Sequence, residues 1–176
     1  MKKYKKLFHI DALDYYQFVT FRTHDSVDVY LAQLLNNKDL KTNIKQYQID
    51  THLDKSLHGA YLNGEILKYL YNFLKTDNAL IYELISFVIM PNHVHILFKQ
   101  TQSLANTIKV LKAKSAVDIN IMLNRFGKFW ASGYYDKVIR DEEHFEKVYV
   151  YIENNALKAG LGLDGRFFSV YDDVGV

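Results

Sequence analysis

The chain has 176 residues and a formal charge of +2; about half are apolar (49%) and a quarter charged (24%), a composition that fits a folded globular chain and excludes a disordered one. There is no Cys, which excludes disulfides and thiolate metal sites and makes a reducing compartment, the cytoplasm, the default location. No apolar run approaches the roughly 18 residues a membrane-spanning helix needs, so no membrane segment is expected.

The basic start, MKKYKKLFHIDALDYY, lacks the long apolar stretch of a secretory signal and is not read as one. With a single Pro in the chain no Pro-rich linker divides it, and one domain spanning residues 1–176 is expected. Residues 15–25, YYQFVTFRTHD, are aromatic and β-branched and read as a first strand. Residues 27–58 follow no single period: VDVYLAQLLNNK looks helical, whereas NIKQYQIDTHLDKS is polar, and the stretch reads as an inserted or irregular segment. In GAYLNGEILKYLYNFLKT, Leu62, Ile66, Leu67, Leu70 and Phe73 recur at steps of three and four, which predicts a helix with one buried face. YELISFVIM and HVHILFK are apolar runs joined by Pro91-Asn92, a pair suited to a tight turn, and predict a hairpin. Ser103 is the expected N-cap of a helix that Gly127 ends. KFWASGYYDKVI reads as extended. Arg140-Asp141 opens a last helix, acidic in its first turn as the helix dipole prefers, and Gly160 and Gly162 stop it. The tail reads as irregular. The order β, α, β, β, α, β, α predicts an α+β fold: a ferredoxin-like βαββαβ antiparallel sheet with helices on one face and an additional C-terminal helix.

The stretch MPNHVHILF carries the chemistry. Side chains alternate along a strand, so His93, His95 and Leu97 share one face while Val94, Ile96 and Phe98 share the other, under the helices. Two imidazoles one strand repeat apart can place two nitrogens on one metal ion. Such a pair also arises by chance as ordinary strand residues, so the metal reading needs a third donor and a reacting group. The last helix offers both. At roughly 100° per residue, Phe145, Val148, Tyr149, Ile152, Ala156 and Ala159 form its buried stripe, and His144, Tyr151 and Asn155 lie on one shoulder. Tyr151 and Asn155 are neighbours at i, i+4, and so are Tyr149 and Glu153, the rival pair. Tyr149 points toward the buried stripe, where a Tyr is more often packing, so Tyr151 is preferred. A phenol beside a polar ligand and two imidazoles suits nucleophilic attack on a phosphodiester polarised by a metal ion.

These residues meet a resemblance. FVIMPNHVHILF resembles the HUH motif (His, hydrophobic, His) of single-tyrosine transposases. GKFWASGYYDKVIRDEEHFEKVYVYIENNALKAGL resembles the C-terminal signature of the REP-associated tyrosine transposases, in which an Asn-Pro step precedes Ala-Gly-Leu; here YIENNALKAGL stands in its place. TIKVLKAKSAVDIN and YQFVTFRT fit as well, and the resemblance covers most of the chain except residues 27–58 and the last dozen. It implies a ferredoxin-like fold and an enzyme that cleaves and rejoins single-stranded DNA near hairpins, as a monomer or homodimer. It implies Mg2+ or Mn2+ held by His93, His95 and Asn155, with Tyr151 as the nucleophile that forms a 5′-phosphotyrosine and frees a 3′-hydroxyl. Two departures stand out: Ala156 replaces the usual Pro, which should let the helix run on toward Gly160, and Ala131 follows Trp130 where a Gln is common.

For DNA contact, Lys112 and Lys114 are candidates for phosphate, Trp130 for base stacking, and Lys158 for the scissile phosphate. The lysines read as well as a solvated helix face, Trp130 as core, and Lys158 as a charge favouring a helix C-terminus. The remaining alternative is a catalytically inactive or domesticated relative that binds structured single-stranded nucleic acid without cutting it. His9, His24, His52 and His58 have no motif around them and receive no role.

Overall fold

A computed structural model describes residues 11–76 and 81–172; the basic start of the chain and His9 lie outside the described residues. Strand β1 (Tyr16–Arg22) is followed by two short-range helices, α1 (Val29–Asn36) and α2 (Thr42–Lys55), then by α3 (Gly64–Thr76). Strands β2 (Tyr82–Ile89) and β3 (His93–Gln100), helix α4 (Leu104–Met122), strand β4 (Tyr135–Val138), helix α5 (Glu142–Lys158) and strand β5 (Phe167–Ser169) complete the order. The sheet runs β4-β1-β3-β2-β5, antiparallel throughout. Its first four strands have the expected ferredoxin-like order, and β5 extends the edge beside β2.

Both faces of the sheet are covered, which is why the middle of β1, Gln17 to Phe21, is buried on every residue. On one face Val19, Phe21, Val94, Ile96 and Phe98 pack under Ile66, Leu70 and Phe73 of α3 and Leu104, Ile108, Leu111 and Ile119 of α4. On the other face Phe18, Ile85, Val88 and Leu97 pack under Ile152 and Ala156 of α5. The β2–β3 hairpin closes as expected, with the Met90 N–H donating to the His93 carbonyl at 2.8 Å. Asp141 caps α5 by accepting from the His144 N–H at 2.8 Å, the capping geometry its position predicts.

Three local expectations differ. Ser103 stands at the N-cap of α4 without capping through its side chain; Asp11 accepts from the Leu104 N–H instead. That helix ends at Met122, not at Gly127, because Asn124 takes a left-handed conformation (φ 48°) that Asn tolerates. The tail is not wholly irregular, since β5 pairs with β2 from Ser86 to Val88.

The largest difference is residues 27–58. They form α1 and α2 around a small core of their own, Leu31, Leu34, Ile49 and Leu53. The Asp28 carboxylate starts α1 by accepting from the Leu31 N–H and also meets His52 Nε2 of α2 at 2.7 Å. The end of α2 is fastened to the hairpin turn: the buried Asn92 side-chain amide donates to the carbonyls of Leu53, Ser56 and His58 at 3.0, 3.1 and 3.3 Å. Gly59 then passes so close to β1's end that an added Cβ would lie 2.5 Å from the Ser26 backbone nitrogen, and its φ of +64° suits glycine. Asn92→Ala would remove the donor that joins these carbonyls to the hairpin turn, and is expected to lower the unfolding free energy by about 2–3 kcal/mol in urea denaturation.

Candidate active site

The face of the sheet under α5 gathers the candidate site residues. The register sets Arg22 opposite His93, Thr20 opposite His95 and Phe18 opposite Leu97, so these six side chains share that face. His93 and His95 are fully buried, and their Nε2 atoms lie 3.1 Å apart.

The partner of the other nitrogen defines the tautomer of His93 but not that of His95. Because the Asn92 amide nitrogen is directed at three carbonyls, its Oδ1 is the atom facing His93 Nδ1, at 2.8 Å. An amide oxygen only accepts, so His93 carries its proton on Nδ1 and presents the Nε2 lone pair. His95 Nδ1 meets the Thr20 hydroxyl at 2.7 Å, a partner that donates or accepts and thus permits either tautomer. Burial pushes both imidazoles toward the neutral form that ligates metals: His95 falls to about 3, and His93 falls well below its ordinary value, with His95 and Arg22 adding to the effect.

Helix α5 lies across this pair. The Tyr151 ring is 5.2 Å from the His95 ring, centroid to centroid, and 5.9 Å from Phe18, edge-on to both. Asn155, one turn on, is buried, and its Oδ1 has no hydrogen-bond partner. An amide oxygen buried without a donor is costly unless something completes it. The helix continues through Ala156 to Lys158, as the missing Pro predicts, and Gly160 (φ 73°) follows its end. The rival Tyr149 is turned away; its hydroxyl donates to Ser169 Oγ of β5 at 2.7 Å and its ring packs on Phe167 and Tyr171.

Sequence reasoning missed two carboxylates. Asp50 and Asp54, i and i+4 on α2, both reach the site. Tyr151 donates its hydroxyl proton to Asp50 Oδ2 at 2.9 Å, and Asp54 Oδ1 lies 3.6 Å from His93 Nε2, buried and without a hydrogen bond. The signal available was the i, i+4 spacing of Gln46, Asp50 and Asp54, one polar stripe on a helix; Gln46 donates to Asp50 Oδ1 at 2.8 Å. Burial drives both carboxyls up, Asp50 to about 7 against the pull of Tyr151 and Gln46, and Asp54 to about 6 against Lys158 and Lys55. Burial, then the Asp50 charge, raises the Tyr151 phenol above its ordinary value, so phenolate is disfavoured there.

These shifts set a pH dependence. Between about 4 and about 7 folded Asp50 keeps a proton that the unfolded chain has released, so its contribution to stability is present at low pH and lost as pH rises through about 7; Asp54 follows through about 6. The histidines act oppositely, costing stability as pH falls below the imidazole value of 6.5. Asp50→Asn removes the buried charge and is expected to raise the unfolding free energy by roughly 1–3 kcal/mol at about pH 8 and far less at about pH 5, measured by urea denaturation at both.

The expected DNA-contact residues fare differently. Trp130 is core, not a stacking platform: it is 5% exposed, donates to Ser115 Oγ at 2.9 Å and packs edge-on against Phe21 and Phe129. Lys112 is turned inward as a structural tie, donating to the carbonyls of Ala131 and Gly133 at 2.6 and 2.9 Å, and burial lowers its ammonium to about 8. That leaves one of its three donors for a phosphate. Lys114 is exposed on α4, the helix on the sheet face away from His93 and His95. Lys158 is exposed at the end of α5, and its charge reaches Asp54.

Among the described residues no helix is long and apolar enough to cross a membrane. No curated protein matches the chain. Its fold is similar to that of a solved REP-associated tyrosine transposase bound to a REP hairpin, with a TM-score of 0.51 and 15% identity over 92% of this chain and 76% of that one. A chain from Deinococcus radiodurans R1 assigned as a transposase aligns with a TM-score of 0.44 and 19% identity over 88% of this chain and 98% of its own. The sequence pattern of the family described as IS200-like transposase matches residues 54–155, more than half of the chain and a span holding His93, His95, Tyr151 and Asn155. The chain belongs to the IS200-like transposase family.

Proposed function

We propose that this transposase cleaves and rejoins single-stranded DNA beside a hairpin, with Tyr151 as the nucleophile. The observation that carries the reading is the meeting of four side chains from two elements, His93 and His95 of β3 with Tyr151 and Asn155 of α5, on one covered face of the sheet. The REP hairpin held by the protein of similar fold is the ligand class carried over.

The donor set fits a divalent ion, Mg2+ or Mn2+. Two neutral imidazoles face each other through Nε2, and the Asn155 carbonyl oxygen is buried without a donor. Among the described residues no group of three or more His, Cys, Asp and Glu side chains is gathered for a metal, and the third donor in this proposal is the Asn155 amide. When bound, the ion supplies Lewis acidity to the phosphate under attack.

The protein's own residues do the rest. Tyr151 Oη gives up its proton to a neighbouring acceptor as it forms a bond to phosphorus, the P–O3′ bond breaks, and the 5′-phosphate stays on the tyrosine while the 3′-oxygen leaves as a hydroxyl protonated from solvent. Rejoining runs the same steps backward from a 3′-hydroxyl, so the bond is conserved and no energy source is consumed. Asn92 and Thr20 hold the imidazole planes, and Asn92 fixes the tautomer of His93. Phe18 and the apolar face of α5 keep water from the phosphotyrosine.

The test incubates the protein with Mn2+ and end-labelled single-stranded DNAs that fold as hairpins, taken from the flanks of its own gene. A protein–DNA adduct that survives denaturation is the expected result. Retained binding with no adduct on any hairpin would make the protein a non-cutting binder.

A further inference from the structure

We propose that Asp50 takes the proton from Tyr151 during strand cleavage and returns it during rejoining. The inference rests on the proposed function and adds to it a residue from α2, outside residues 54–155 that match the family.

Geometry singles out Asp50. A phenol attacking phosphorus must lose its proton, and the Tyr151 hydroxyl already donates to Asp50 Oδ2 at 2.9 Å. The carboxylate is held from its other oxygen by Gln46, so Oδ2 is aimed and not free to swing. The other polar neighbours of the phenol are poorly suited. Asn155 carries an amide, which is no base. His95 has Nδ1 on Thr20 and Nε2 on His93. Asp54 lies beside His93. The charged or titratable groups facing Asp50 are Tyr151 from α5, Asp54 from its own helix, Arg22 from β1 and Tyr135 from β4.

The proton balance closes. In cleavage the Oη–H bond breaks as Oη–P forms, the proton goes to Asp50 Oδ2, and the P–O3′ electron pair leaves with the 3′-oxygen, which takes a proton from solvent. In rejoining the 3′-hydroxyl loses its proton to solvent, attacks phosphorus, and expels Oη, which recovers the proton from Asp50. Between the two steps the carboxyl stays protonated, which removes a negative charge from beside the phosphotyrosine. A carboxyl raised to about 7 by burial suits both halves, being able to accept and keep a proton near neutrality.

The experiment measures single-turnover adduct formation with the same labelled hairpin DNAs and Mn2+, for the wild-type protein, Asp50→Asn and Asp50→Glu, across about pH 5 to 9. Hairpin affinity and melting curves are recorded in parallel. Asp50→Asn is expected to slow adduct formation about 100-fold or more with unchanged DNA affinity and fold. The wild-type rate should rise with pH and level off near the Asp50 titration, and that limb should vanish in the Asn variant. Asp50→Glu keeps a carboxylate and should run at least about tenfold faster than Asp50→Asn. An Asn variant as fast as wild type with the same pH profile, or faster, would show that the bond merely restrains Tyr151 and overturn the inference alone. Equal rates for the Glu and Asn variants would do the same. Absence of adduct from the wild-type protein would overturn the proposed function and this inference with it.

Discussion

Tyr151→Phe is expected to abolish the denaturation-resistant adduct while leaving hairpin binding within about threefold. The substitution deletes one oxygen, the atom proposed to form the bond to phosphorus, and leaves the ring that packs on Phe18 and His95. Its cost to the fold is small, about 1 kcal/mol, because Asp50 keeps Gln46 and can protonate. Tyr149→Phe should show the opposite pair of effects. It breaks the hydroxyl contact with Ser169 that ties β5 to α5, lowering stability by about 1 kcal/mol, and leaves adduct formation intact. An adduct that survives Tyr151→Phe and disappears in Tyr149→Phe would transfer the nucleophile's role. Gel analysis of the covalent species and urea denaturation of both variants read the two effects separately.

His95→Ala is expected to remove both metal-dependent stabilisation and cleavage. In the wild-type protein, Mn2+ at about one hundred times its dissociation constant should add about 2.7 kcal/mol to the unfolding free energy. For a chain of this length that is a rise of roughly 5–10 °C in melting temperature. The metal-dependent rise should be absent in His95→Ala and in His93→Ala, and adduct formation should fall by at least about 100-fold. Without metal, His95→Ala leaves Thr20 Oγ1 without its partner and removes a ring stacked on Phe18, a loss of about 1–3 kcal/mol. Chelation of the wild-type protein should return it to the metal-free melting point without unfolding it, since the core on both sheet faces is complete without the ion. A wild-type melting temperature indifferent to Mn2+ and Mg2+ would remove the metal from the site.

The site was legible in unequal parts. The histidine pair was readable because a strand has a period of two, and the alternation of HVHILF survives any packing. The shoulder holding Tyr151 and Asn155 was readable for the same reason at a period of 3.6. Trp130 was ambiguous because a Trp suits a core and an aromatic platform equally well; the hydrogen bond to Ser115 on α4 makes it core. Lys112 looked like part of a solvated face, but α4 packs closely enough on the loop before β4 for its ammonium to reach two carbonyls there. The three residues of β5 were too few to show alternation, and they are a strand only because the edge of β2 has open hydrogen-bonding groups beside them.

What the sequence by itself determined is local and periodic: the strands and helices with a clear period, the four-strand ferredoxin-like order, and which face each candidate ligand and the candidate nucleophile take. Those properties depend on backbone geometry and on burial of one stripe per element, so a pattern a few residues long suffices. The placement of Asp50 and Asp54 was decided by tertiary structure alone. Helix α2 is mostly polar and shows no clear apolar face, and the Tyr151–Asp50 contact joins residues 101 positions apart. Only the packing of Ile49 and Leu53 on α1, together with the three carbonyls gripped by Asn92, fixes α2 against the histidine turn. A hydrogen bond across that distance has no period to betray it, because its partners are neighbours only after every intervening element has packed.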